Sequence, residues 1–442
     1  MVAATAFPLS AAITRMNEFC WTTKQILMGL WNLPGTPGAS SLAPRPAHVP
    51  AELVVDFDFM RQKGMDEDVH AVWKRLQDKG PDIQWTPRNG GHWILTRGED
   101  IDAIQRDHEN FSSKRSTIPH QISTVRGLPL EADPPRHAAY RNLINPWFTP
   151  KAIGDLEGDV RKLAADLLDN PISGIKARGH CEFVADFAKR LPIAIFLRLV
   201  ELPMQDREKL LEWTDNATRG KSNLGRMLAF IKMNAYQDYW IRKRRANPGK
   251  DLISQVVHAK VDGRPLSHDE IHGMLMVLLF GGLDTVASLL SFTARYLAEH
   301  PLQCRQLVEN PDLIPTAVDE MIRRHGVTNN GRIVARDYVY KGIQFRKGDM
   351  IQIPSGLYGL DERKFDHPME VDFNRPSLVH AAFGAGPHRC PGSYLARTEI
   401  RVFLEEWLKR IPEFRIKSGE KPRTSPGLVS GVDYLPLQWV TT

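Results

Sequence analysis

One segment, "SHDEIHGMLMVLLFGGLDTVASLLSFTARYLAEH" (267–300), limits what this chain can fold into more than any other. Ser267 and Glu270 stand at capping-box spacing and Pro301 follows the end, so the pattern predicts one uninterrupted helix. At 1.5 Å per residue it runs for roughly 50 Å, enough to cross a whole domain. Its apolar run, 273–283, is shorter than the roughly 20 residues of a membrane span. The expectation is a central helix that the rest of the chain buries. Its middle holds an oddity, "FGGLDT" (280–285), because two adjacent glycines cost about 1 kcal/mol each in a helix centre. Either the glycines admit a neighbouring helix, with Asp284 in a structural ion pair, or the thinned backbone receives a flat ligand. In the second case Thr285 turns its hydroxyl on to its own helix carbonyl and Asp284 relays protons.

Helical periodicity also marks 151–170, 182–200, 205–218 and 223–245. The stretch 92–113 reads as a short strand leading into a helix, and 332–353 as strands with glycine at the turns. The architecture expected is mainly α with a smaller β region. The first 50 residues include "PGTPGASSLAPRPAHVP" (34–50) and read as a loose arm before one domain spanning 51–442. "FCWTTKQILMGLWNLPG" (19–35) is too short and too polar for a span, and it shows no signal-peptide cleavage pattern. A net charge of +6 over 442 residues is too weak to argue for nucleic acid, though a local basic face can attract an acidic protein. The basic run 241–250 reads as a solvated helix end.

Four cysteines (Cys20, Cys181, Cys304 and Cys390) lie far apart with no CxxC pair. That spacing speaks against a zinc ribbon, a thioredoxin-like motif and a disulfide scaffold, and for a reducing, cytoplasmic setting. Cys390 differs from the others in sitting inside "FGAGPHRCPG" (383–392). It lacks partners at zinc spacing, and His388 is too near in sequence to act as the base for a thiol nucleophile. A haem-thiolate ligand suits the loop better. Glycines bring backbone N–H groups to the sulfur, Phe383 shields it, and the helix starting at 392 favours a thiolate.

At these residues the chain resembles the cytochromes P450. Phe383, Gly386, Cys390 and Gly392 match F-x-x-G-x-x-x-C-x-G, and "GGLDT" matches the oxygen-activating helix segment with its acid–alcohol pair. "EMIRR" supplies Glu320 and Arg323 of E-x-x-R, and "FNRP" supplies Arg375, the usual third member of a structural ion-pair cluster. The resemblance implies haem b (iron protoporphyrin IX), with Cys390 as axial ligand and Gly281 against the ring. His137 and Arg141 of "DPPRHAAYR", Arg332 and His388 are implied contacts of its propionates. It further implies that Asp284 and Thr285 handle protons while one oxygen atom of O2 enters a C–H bond.

From "VVDFDFM" (54–60) to "GLVSGVDYLPLQW" (427–439) the chain is similar to the camphor-hydroxylase branch, which is soluble and bacterial. That branch takes electrons from NADH through a flavin reductase and a two-iron ferredoxin. The resemblance places the ferredoxin near Arg141, with Arg136 and Arg389 adding positive charge; Ser377 stands where the camphor enzyme has lysine. The loop 114–135 contains no tyrosine, the residue that holds the substrate ketone in the camphor enzyme. His120, Ser123 and Thr124 are candidates to replace it, and Thr117, Val277, Phe280, Thr328 and Leu428 are implied pocket residues, with Val277 and Phe280 facing the haem side. The substrate expected is a hydrophobic terpenoid or norisoprenoid of the ionone type. Camphor or another monoterpenoid, a peroxide-driven peroxygenase, and a non-catalytic haem sensor are the alternatives.

Overall fold

The computed structural model describes residues 42–118, 125–170, 174–219 and 222–441. In chain order its helices are α1 (Val69–Lys79), α2 (Gly98–Arg106), α3 (Arg136–Ile144), α4 (Pro150–Asp169), α5 (Arg190–Leu199), α6 (Arg207–Arg219), α7 (Asn223–Ala246), α8 (Leu252–His258), α9 (His268–Glu299), α10 (Pro301–Glu309), α11 (Ile314–Arg324), α12 (Gly356–Gly359) and α13 (Ser393–Arg410). The main strands are β1 (Ile83–Thr86), β2 (His92–Leu95), β3 (Phe111–Ser112), β4 (His180–Glu182), β5 (Asn329–Val334), β6 (Met350–Pro354), β7 (Arg415–Ile416) and β8 (Pro436–Gln438). The fold is mainly α with a smaller β region, as expected.

The capping box forms as the sequence predicts: Ser267 Oγ accepts from Glu270 N, and the Glu270 carboxylate accepts from Ser267 N. From that start α9 runs unbroken, with the side chains of its C-terminal half almost all buried. It packs against α5, α7, α8, α10 and α13, which makes it the axis of the molecule. One expectation needs correcting. Over an 18-residue stretch α9 reaches a mean hydropathy of 1.9, so length and composition alone would suit a membrane span. Burial inside the protein, not a short apolar run, is what makes it a core helix.

A five-stranded sheet in the order β1-β2-β6-β5-β3 stands beside the helices, antiparallel except where β6 runs parallel to β2. A smaller sheet joins β7, β8 and β4. That smaller sheet explains why 182–200 is not one helix. Glu182 ends β4 opposite Pro436, and its carboxylate accepts from Leu435 N at 2.8 Å and Ala185 N at 2.7 Å. A wide π-type turn, Val184–Ala188, then leads into α5. The β ladder wins over helical periodicity at this end.

Most of the expected arm, 1–41, lies outside the described residues, as does Cys20. Residues 42–50 are attached to the domain. Ala43 N donates to Pro87 O at 2.9 Å, His48 bonds Asp349 at 2.8 Å, and Val49 is fully buried. Cys181 and Cys304 are buried and unpaired, as incidental core residues should be.

Candidate functional site

The cysteine loop is pressed on to α2. Gly386 has φ +66°, and a side chain there would come within 3.0 Å of Arg106 Cα and of the Gln105 carbonyl oxygen, so only glycine fits. Cys390 N donates to Phe383 O at 2.8 Å and closes the loop. Arg397, one helix face further on in α13, lays its guanidinium 4.7 Å from the Phe383 ring centre. Sequence reading missed this residue, because its meeting with Phe383 depends on how the loop folds back over α13. The Gly392 N–H, at the start of α13, points its donor at the Cys390 sulfur. The preference for a thiolate does not follow from that donor alone. Burial pushes the Cys390 thiol up, and the Gly392 N–H with Arg141, Arg397 and Arg389 only reduces the rise. A metal ion held by the Cys390 sulfur would make up the difference, since a ligating thiol loses its proton outright.

Beside this loop, α3 and β5 gather positive charge with almost nothing to neutralise it. The His137 and His388 ring centres lie 4.2 Å apart, and His388 Nε2 is 3.0 Å from Ser113 Oγ. Arg141 donates to the Arg389 carbonyl and, at 2.8 Å, to Asn145 Oδ1. Arg332 is 4% exposed, and the hydrogen bond it makes here is to the Gly331 carbonyl at 2.9 Å. His137 is 3% exposed, and its Nε2 has no hydrogen-bond partner. Burial, then Arg141, lowers the His137 pKa to about 4. Burial, then Arg332, His137 and Arg141, lowers that of His388 to about 2. Burial also brings Arg332 down to about 10. Asp133 is the acid that opposes these effects on His137 and Arg332, but Ser112 Oγ at 2.6 Å and Ser113 N at 2.8 Å already occupy its carboxylate. Two neutral histidines, the buried Arg332 and the half-buried Arg141, with no carboxylate ion pair among the described residues, make a receptor for anionic groups. The two propionates of a haem fit that receptor in charge, and the unsatisfied His137 Nε2 fits it in hydrogen bonding.

The glycines of α9 can be sorted by what a side chain would meet. At Gly273 a Cβ would collide with the Arg126 carbonyl oxygen at 1.9 Å, so this glycine serves close packing. At Gly281 and Gly282 it would meet nothing within 4 Å. Among the described residues no neighbouring helix packs against Gly281 or Gly282, so the helix-packing reading of "GGLDT" fails and this face of α9 stands open. Thr285 Oγ1 donates to the Gly281 carbonyl at 2.9 Å, the bond expected from sequence. Asp284 lines a cavity of about 30 Å³ with Lys189, Thr214, Asp215, Leu211, Phe280, Leu283 and Ala287. Lys189 Nζ bonds both carboxylate oxygens of Asp215 at 2.6 and 2.7 Å. Lys189 stands just before α5 and Asp215 on α6, and nothing in their local sequence points to Asp284.

Glu320, Arg323 and Arg375 meet as expected, with Glu320 and Arg323 fully enclosed and Arg375 half-buried at the edge. Arg323 forks on to Glu320 at 2.7 and 2.8 Å, Arg375 Nε adds a third bond at 3.1 Å, and Asp372 N a fourth at 2.9 Å. The remaining Arg323 donors reach the carbonyls of Gly359, Pro368 and Glu370.

The implied pocket residues Thr117, Val277, Phe280, Thr328 and Leu428 are all half-buried. Asn329 N bonds Leu428 O at 2.8 Å, which brings Thr328 beside Leu428. The Thr328 hydroxyl is already shared with Ser355 Oγ at 2.6 Å. A Cβ on Gly127 would touch Val277 at 2.9 Å, so Val277 abuts the described end of the tyrosine-free loop. Phe280 is turned to the Asp284 cavity and Phe230, 6.0 Å away, so the expected Val277–Phe280 pair faces different neighbours. His120, Ser123 and Thr124 lie outside the described residues. Of the basic residues expected to face a partner, Arg389 is exposed and Arg141 half-buried. Arg136 is committed elsewhere, to Glu270 at 3.1 Å and Asp262 at 3.8 Å.

The family model for cytochrome P450 matches residues 210–432. Among curated proteins, a probable cytochrome P450 127A1 of Sinorhizobium fredii is 34% identical over 90% of this chain and 97% of its own length. A steroid C26-monooxygenase of Mycolicibacterium smegmatis is 33% identical over 79% of this chain and 88% of its own. Among solved structures, CYP101C1 superposes with a TM-score of 0.83 at 38% identity, covering 90% of this chain and all (100%) of that one. CYP101J2 gives 0.82 at 35% identity with the same coverage of 90% and 100%.

Proposed function

The chain belongs to the cytochrome P450 family and is a monooxygenase, and from that premise we propose that it hydroxylates an unactivated C–H bond of a terpenoid or norisoprenoid with electrons from a ferredoxin. The observation that carries this reading is the anion receptor of His137, Arg141, Arg332 and His388 directly beside the Cys390 loop. These four residues would hold the haem propionates, and the Cys390 sulfur would hold its iron. When bound, the haem supplies oxygen activation, and thiolate donation from Cys390 favours O–O cleavage. Thr285 gives its own proton to Gly281, so its oxygen is left to accept one and orients a proton donor over the open face of α9. Asp284, at a cavity roomy enough for water and lined by the Lys189–Asp215 pair, delivers protons from solvent. Thr285→Ala is expected to keep oxygen consumption but divert it to hydrogen peroxide. Product per electron equal to wild type would remove Thr285 from this role.

The substrate reading rests on what the pocket lacks. Thr328 is bonded to Ser355 and Ser116 to Glu131 at 3.0 Å, so these two hydroxyls are engaged, while Val277 and Leu428 add apolar surface. The steroid C26-monooxygenases among the relatives support a hydrophobic ligand. NADH, a flavin reductase and a two-iron ferredoxin docking at Arg141 and Arg389 complete the cytoplasmic system; Arg136, held by Glu270, adds little there. The acid–alcohol pair disfavours a peroxygenase or a sensor. Absorbance titration of the ferric protein tests the substrate. β-Ionone is expected to shift the haem from low to high spin while camphor shifts it little. A strong camphor shift would mean that a residue of 114–135 replaces the missing tyrosine.

A further inference from the structure

A second set of ligand-type side chains lies away from the haem site, where α7 crosses the first turns of α9. His268 and His272 stand one turn apart on α9 and direct both Nε2 atoms at one oxygen, Asp238 Oδ1 of α7, at 3.0 and 2.5 Å. The three ligand atoms lie within 4.8 Å of one another, and the two imidazole ring centres are also 4.8 Å apart. His272 is buried (2% of its side chain exposed), whereas His268 is 27% exposed and leaves a way in from solvent.

We propose that Asp238, His268 and His272 form a binding site for a divalent transition metal of the zinc type. Two imidazoles and one carboxylate are a donor set that zinc accepts, with water as the fourth ligand on the open His268 side. With metal–ligand bonds of about 2.0–2.1 Å, the present N–O separations need to open by less than about an ångström to become edges of a tetrahedron. The ion would pin α7 to α9. The same seam continues through Gln237 and Met276 (3.9 Å) to Phe230 and Phe280 (6.0 Å), the side chain that reaches the Asp284 cavity. Metal at one end of the seam therefore stiffens the wall of the reaction site at the other.

Equilibrium dialysis of the haem-loaded full chain against zinc chloride tests this. Wild type is expected to hold one more equivalent of zinc than His268→Gln or Asp238→Asn, with affinity falling at least about 10–100-fold in each variant. Zinc should also raise the melting temperature of wild type but not of His268→Gln. His268→Gln keeps the test valid if Asp238→Asn fails to fold, because its ring sits on the open side. No zinc uptake by wild type, or equal uptake and equal stabilisation in wild type and His268→Gln, would overturn the proposal.

Discussion

Two buried groups of arginine side chains lie close to the Cys390 loop and differ in one respect. Around Glu320, each positive charge has its carboxylate or carbonyl, the fork of Arg323 is filled, and the side chains of Glu320 and Arg323 are fully buried. Around Arg332, which is buried too, the nearby acid Asp133 is already taken by Ser112 and Ser113, and among the described residues His137 keeps a nitrogen with no partner. A protein interior tolerates charge when it is paired. The first cluster finishes its own pairing and is architecture; the second leaves pairing to something that binds. The contrast separates a structural ion pair from a ligand receptor without reference to motif.

The largest effect that can break this comparison comes from Glu320→Ala. It strands Arg323 and Arg375 in the interior, and the expected loss is about 3–5 kcal/mol, enough to prevent a stable haem protein. Thermal unfolding and haem content measure it. A variant with full haem content and normal melting but no turnover would give Glu320 a chemical role instead.

A smaller test sharpens the same distinction on α9, between a glycine that packs and one that opens a face. Gly273→Ala must push against the Arg126 carbonyl and is expected to destabilise the fold by about 1–3 kcal/mol. Gly281→Ala meets nothing within 4 Å and is expected to stabilise the haem-free chain by about 0.5–1 kcal/mol through helix propensity, while weakening haem uptake. Chemical denaturation of both haem-free variants checks the pair. Equal destabilisation would mean that Gly281 is a packing glycine after all.

Much of this was readable from the chain. The capping box, the length of α9 and the Thr285–Gly281 bond follow from local spacing, which acts within a few residues, and the Glu320 cluster follows from the resemblance of two motifs. What escaped depends on partners far away in sequence. The break near Glu182 is set by pairing with residues 435–436, and Phe280 turns towards Phe230 on another helix. Arg136 finds Glu270 more than a hundred positions on, and Ser113 and Lys189 join the site only through the fold. The Cys390 thiol shows a second limit. Sequence reveals the helix N-terminus that favours the thiolate, but not the burial that outweighs it.

If the Arg332 cluster exists to pair with the carboxylates of haem, the protein must tell haem from haem dimethyl ester, which has the same ring and iron but no propionate charge. Wild type should bind haem at least about 100-fold more tightly than the ester, as two charge-assisted contacts demand, and Arg332→Met should shrink that ratio. Equal affinity for haem and its ester, with no change in Arg332→Met, would contradict the account.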